Sequence, residues 1–142
     1  MSRISLDQAN TIIAAGFAKG AELKLAPLSI AVLDAGGHMI AFQRQDGSSN
    51  MRAEIAAGKA SGALALGVSS RKIGEMALER PTFFGALGSI APRGLLPAAG
   101  GVIVVDDEGF AIGAVGATGD TSDNDEACAL AGIAAAGLEA KG

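Results

Sequence analysis

Tryptophan and tyrosine are absent from this chain of 142 residues, phenylalanine occurs five times, and histidine and cysteine occur once each. So few rings leave no stacking platform for nucleic-acid bases. The 11 Lys and Arg form no run and the formal charge is -4, so the footprint of a phosphate-binding surface is missing too. Nucleic-acid partners are therefore not expected. A lone Cys128 can close no internal disulfide and builds no metal cluster. It reads as a small buried side chain in a reducing compartment. The opening Met-Ser-Arg-Ile-Ser-Leu-Asp lacks an apolar signal core, and no stretch reaches the roughly 18 apolar residues of a membrane span. A cytoplasmic location without a membrane partner is the expectation.

Alanine and glycine dominate what is present, and hydrophobic residues make up 49% of the chain. That suffices for one globular core, and residues 1–142 read as a single domain. Small side chains bury little area each, so self-association into a homo-oligomer is expected to complete the burial.

One phrase occurs twice: Val32-Leu33-Asp34-Ala35-Gly36-Gly37-His38-Met39-Ile40-Ala41 and Val104-Val105-Asp106-Asp107-Glu108-Gly109-Phe110-Ala111-Ile112-Gly113. Each copy is two apolar runs joined by a tight turn that opens on Asp, which spells a β-hairpin. Two hairpins imply one antiparallel sheet. Around them, Ser5 and Gln8 form a capping box for a helix from about Leu6 to Leu23. A second helix runs from about Met51 to Leu66, and a third from the Ser69-Ser70 cap to Glu79. The last begins at Ser122 and runs to about Ala140. Residues 80–101 read as a long Pro/Gly-rich connection carrying Phe83-Phe84, of the kind that is often functional. Strict alternation in the first hairpin puts His38, Ile40 and Phe42 on one face. The final helix is apolar nearly all round, so one side is expected to meet the sheet and the other a neighbouring subunit.

His38 is the only imidazole, so histidine catalysis or haem iron ligation must use it, unless it is a solvated turn residue. Lys59 stands among Ala56, Ala60 and Ala63. If buried, it needs a carboxylate partner or a lowered pKa. Asp34, Asp46, Asp120, Asp125 and Glu126 are the available partners, and the outcome is a surface lysine, a structural ion pair or a reactive site. Arg44 beside Asp46 has the same ambiguity. The glycines from Gly113 to Gly119 precede a helix, but their spacing matches neither a Walker loop nor a dinucleotide fingerprint, and the nearby acids oppose a phosphate. Phe83-Phe84 either fills the core or covers a planar apolar ligand.

The ordered series Leu33 to Phe42 with Arg44 and Asp46, Ile55-Ala56, Lys59-Ala60, Gly100-Gly101, and Gly109 to Gly119 with Asp125-Glu126 resembles the GlcG/HbpS-like family. That family also includes the C-terminal domain of PduO-type corrinoid adenosyltransferases. The resemblance implies an α+β domain, an antiparallel sheet flanked by helices and somewhat profilin-like, assembling into homo-oligomers that are often octamers. It implies that haem or a related tetrapyrrole is the ligand to expect, since some members bind haem; the candidates in this chain are then His38 as axial metal ligand, Lys59 and Arg44 as propionate partners, and Phe83 and Phe84 as an apolar wall. The motif residues carried over are Asp34, Gly37, Arg44, Asp46, Lys59, Gly101, Gly119, Asp125 and Glu126. The competing expectation is a cofactor-free isomerase, hydratase or lyase acting on a small organic acid. There Lys59 serves as base or anchor, Arg44 holds the acid, and Asp34, Asp125 or Glu126 moves a proton.

Overall fold

A computed structural model describes residues 2–141. The first helix, α1 (Leu6–Glu22), opens on the reciprocal capping box: the Gln8 amide donates to Ser5 Oγ at 3.0 Å and the Ser5 amide to Gln8 Oε1 at 2.9 Å. The first hairpin follows as β1 (Ser29–Asp34) and β2 (Met39–Arg44). Three helices come next, α2 (Arg52–Leu66), α3 (Ser70–Glu79) and α4 (Pro81–Gly88). The second hairpin is β3 (Gly101–Val105) and β4 (Ala111–Thr118), and α5 (Ser122–Ala135) and β5 (Glu139–Ala140) close the chain.

The two turns are built alike. Asp34 Oδ1 accepts from the amides of Gly36 and His38, and Asp106 Oδ1 accepts from those of Glu108 and Phe110, all at 2.9–3.0 Å. Gly37 and Gly109 supply the left-handed residue each turn needs, at φ 84° and 87°. The hairpins lie side by side in one antiparallel sheet of order β2-β1-β4-β3-β5. Ile30, Val32, Val104 and Val115 pack on one face with Ile12, Ile13, Ala129 and Ile133 of α1 and α5. Ala31, Leu33 and Ala114 face Ala56, Ala57 and Ala60 of α2 on the other. This is the expected α+β architecture.

The structure corrects four local expectations. Residues 80–101 are not all connection, because Pro81 occupies the first turn of α4, where a missing N–H costs nothing. The last helix is capped by Thr121 and stops at Ala135, with Gly137 in the left-handed conformation at φ 73°; the chain then adds a short strand to β3. The strict alternation of β2 fails, since the register skips a residue between Met39 and Ala41. That bulge turns Ile40 and Ala41 to the α1/α5 side and leaves Phe42 facing α2. Much of the apolar surface of α5 is taken by α1: a side chain at Gly132 would strike the Ile12 carbonyl, and one at Gly16 would come within 3.2 Å of the Cys128 carbonyl.

Cys128 is fully buried in that helix pair, and burial, more than the nearby Asp125, pushes its thiol up to about 11. A thiol kept protonated to about 11 in the fold, against 9.0 ordinarily, contributes stability below pH 9.0 and loses it as pH climbs towards 11. Iodoacetamide at pH 8 should leave the native protein unlabelled and modify it fully once unfolded in guanidinium. Equal labelling rates in both states would contradict this packing.

Candidate functional site

Lys59 lies at mid-helix on α2 and is 4% exposed. Its Nζ donates to Asp125 Oδ2 at 3.2 Å and to the Ala117 carbonyl at 3.0 Å. Asp125, 2% exposed on the first turn of α5, also accepts the Asp120 amide on Oδ1 at 2.9 Å. Burial pushes the Lys59 ammonium below its ordinary value, and the Asp125 carboxylate pulls it partly back. Gly100 completes the enclosure, for a Cβ there would sit 2.8 Å from Nζ. The pair bridges the helix layers on the two faces of the sheet, and neither Lys59 nor Asp125 lines the grooves at His38, Leu87 or Phe83.

His38 is different. Its side chain is 84% exposed, with Nδ1 3.5 Å from Asp34 Oδ1. It stands at a groove of about 320 Å³ lined by Gly36, Gly37, Ser61, Leu64 and Arg93, among others. Ala65 and Pro92 line this groove and also an apolar one of about 330 Å³ that continues over Leu66, Leu87, Ile90 and Leu95. The two together run from a polar end at His38 and Arg93 to an apolar end, the composition of a small-molecule site.

The other singled-out residues lie elsewhere. Arg44 ends β2, roughly 20 Å from His38 at 3.3 Å per residue, and donates to Asn50 at 3.0 Å. Asp46 sits in the turn that follows. Asp34 is occupied by its own turn. Glu126 and Asp123 both accept from the exposed Arg71 guanidinium. Gly119, at φ 145°, allows the chain to pass the Pro27 carbonyl, which any side chain there would strike. Phe83 and Phe84 surround a separate hollow of about 50 Å³, which shares only Leu87 with the apolar groove, and Arg80 stacks 4.3 Å above the Phe83 ring. Sequence reasoning thus named His38 but missed Arg93, which an open connection gave no reason to place opposite it. Among the described residues no cluster of three or more His, Cys, Asp or Glu is poised for a bare metal ion, and no helix is long and apolar enough to cross a membrane.

Solved structures share the fold. A PduOC complex with haem is 20% identical with a TM-score of 0.87, covering 99% of this chain and 100% of that one. The Klebsiella pneumoniae protein ORFY is 25% identical with a TM-score of 0.86, covering 96% and 93%. A double mutant of Streptomyces reticuli HbpS is 24% identical with a TM-score of 0.81, covering 94% and 87%. No curated protein matches the chain. The family model described as haem degrading protein HbpS-like matches residues 4–134, and the chain belongs to that HbpS-like family.

Proposed function

We propose that this protein binds haem or a related tetrapyrrole in the groove beside the first hairpin, as a homo-oligomer. The observation that carries the reading is the solvent-open His38 imidazole in a groove that is polar where the hairpin turn, Ser61 and Arg93 line it and apolar where it continues over Leu66, Leu87, Ile90 and Leu95. This donor set fits the group: the His38 imidazole would hold the iron, the Arg93 guanidinium would pair a propionate, and Leu64, Ala65 and Pro92 would meet the macrocycle. A bound haem would supply an iron centre for the imidazole to hold. Asp34 Oδ1 lies 3.5 Å from Nδ1, on one side of the ring, and Nε2 is the nitrogen farther from it. The haem in the PduOC complex is in accord with this assignment, as is family membership. Leu78, Phe83 and Ile90 are exposed and offer apolar surface to a second copy.

The acid–base alternative built on Lys59 has less support, because the amine and Asp125 are closed off and bonded to each other. Sedimentation velocity recorded in the Soret band, after mixing with hemin, tests the haem reading. The expected result is a Soret boundary heavier than one chain. In His38→Ala that boundary should fall by about tenfold or more at limiting hemin, as expected on losing an axial ligand. An undiminished boundary in His38→Ala would remove His38 from the site.

A further inference from the structure

The N-terminal end of α2 gathers side chains that the His38 groove does not use. Ser29 pairs with Arg44 across one strand boundary and with Thr118 across the other, so the three stand in a row over β2, β1 and β4. Ala31 and Phe42, two residues along, pack with Ala56 and Ala57, which puts this row on the α2 face. Arg52, the first residue of α2, reaches down and donates from Nη1 to Thr118 Oγ1 at 2.8 Å. Neither Arg44 nor Arg52 is paired with a carboxylate among the described residues.

Two further features mark the place as unfinished. The Ser29 hydroxyl is fully buried and has no hydrogen-bond partner, a state that native interiors rarely leave standing. Above it α2 begins after Met51 with no side-chain cap; the Arg52 amide donates to the Ser49 carbonyl at 3.2 Å, and the positive end of the helix dipole stays open. Of the nearby acids, Asp120 is held by the Ala26 amide and Asn124, and Asp125 by Lys59, while Asp46 and Glu54 flank the row along the chain.

The geometry points to a carboxylate-binding site formed by Arg44, Arg52, Thr118 and Ser29 at the start of α2. Planar guanidiniums match the two oxygens of a carboxylate, and the Ser29 hydroxyl supplies a further donor that otherwise goes unused. The site is roughly 18 Å from the His38 groove along α2, at 1.5 Å per residue between Arg52 and Leu64. Its ligand is an organic acid, either free or as the side arm of a larger molecule.

Calorimetric titration of the full chain with succinate, with and without hemin, tests this. Saturable binding is expected, weakened about tenfold or more in Arg52→Gln and several-fold in Ser29→Ala. Lys72→Gln removes the same charge from exposed α3 and should change nothing. Ser29→Ala deletes an unpartnered hydroxyl, so its unfolding midpoint should hold or rise, which separates lost binding from lost structure. Independent binding of succinate and hemin identifies a site for free acids. Displacement of succinate by hemin, with Arg52→Gln weakening both, identifies a propionate site and moves the haem from the His38 groove to the start of α2. No saturable succinate binding, or equal affinity in Arg52→Gln and the unaltered chain, overturns the proposal.

Discussion

Gly116→Ala is expected to weaken the fold severely, by about 3 kcal/mol or more. Gly116 lies on β4 directly beneath α2, and a Cβ there would strike the Ala56 carbonyl oxygen while lying 2.8 Å from the Ala56 carbonyl carbon and 3.2 Å from the Ala60 nitrogen. All three are backbone atoms of a helix, so no rotamer change relieves the clash. The helix must lift, and Ala31, Leu33 and Ala114 lose the surface they pack on. Overpacking typically costs about 1–3 kcal/mol when side chains can adapt, and rigid backbone takes the cost to the top of that range or past it. A domain of this size is stable by only about 5–15 kcal/mol. The control is Gly85→Ala, the same chemical change within α4, where an added methyl meets nothing within 4 Å. That variant should gain up to about 1 kcal/mol from helix propensity. Urea midpoints of the two variants should therefore move in opposite directions, and a Gly116→Ala unfolding free energy within about 0.5 kcal/mol of the parent's would refute the close approach of α2 to the sheet.

Lys59→Met should cost about 3–5 kcal/mol, because it leaves the Asp125 carboxylate 2% exposed and without its counter-charge. Methionine matches the stem in length, so lost packing contributes little. Asp125→Asn added to Lys59→Met removes the stranded charge while keeping an oxygen for the Asp120 amide, and most of the loss should return. Asp125→Asn alone strands the amine instead. With the carboxylate charge gone, only uncharged acceptors such as the Ala117 carbonyl oppose the burial that holds the Lys59 pKa below 10.5, so the unfolded chain binds more protons and stability rises with pH towards that value. Denaturant titrations at pH 7 and 9 measure all three. A Lys59→Met cost under about 1 kcal/mol, the range of an exposed pair, would mean that the pair is solvated.

Much of the fold was legible because its signals are local. The capping box at Ser5 and both Asp-led turns need only neighbours three or four residues apart, and they form as read. The end of α5 was also written in the chain, in Gly137, but the alanine run around it carries the helix pattern onward and hides the stop. The bulge in β2 left no trace, since one extra residue in an apolar stretch alters no composition. Lys59 was conspicuous for its small neighbours. Its partner was not, because Asp125 is 66 residues away and four other acids carried equal claims. The row of Arg44, Ser29 and Thr118 was invisible for the same reason: it exists only once three strands are laid side by side. Phe83 and Phe84, grouped with His38 on chemical grounds, are kept from its groove by the turn of α4.

The alternating ribbons also set a timetable. Each hairpin closes through a few residues and can form within microseconds of collapse, but the middle of the sheet joins residue 29 to residue 118. That seam is the slow event, and during synthesis it cannot begin until most of the chain has left the ribosome. Until then the first ribbon waits with the inner rim of β1 bare, and the nascent molecule is most vulnerable to sticking to its neighbours during that interval.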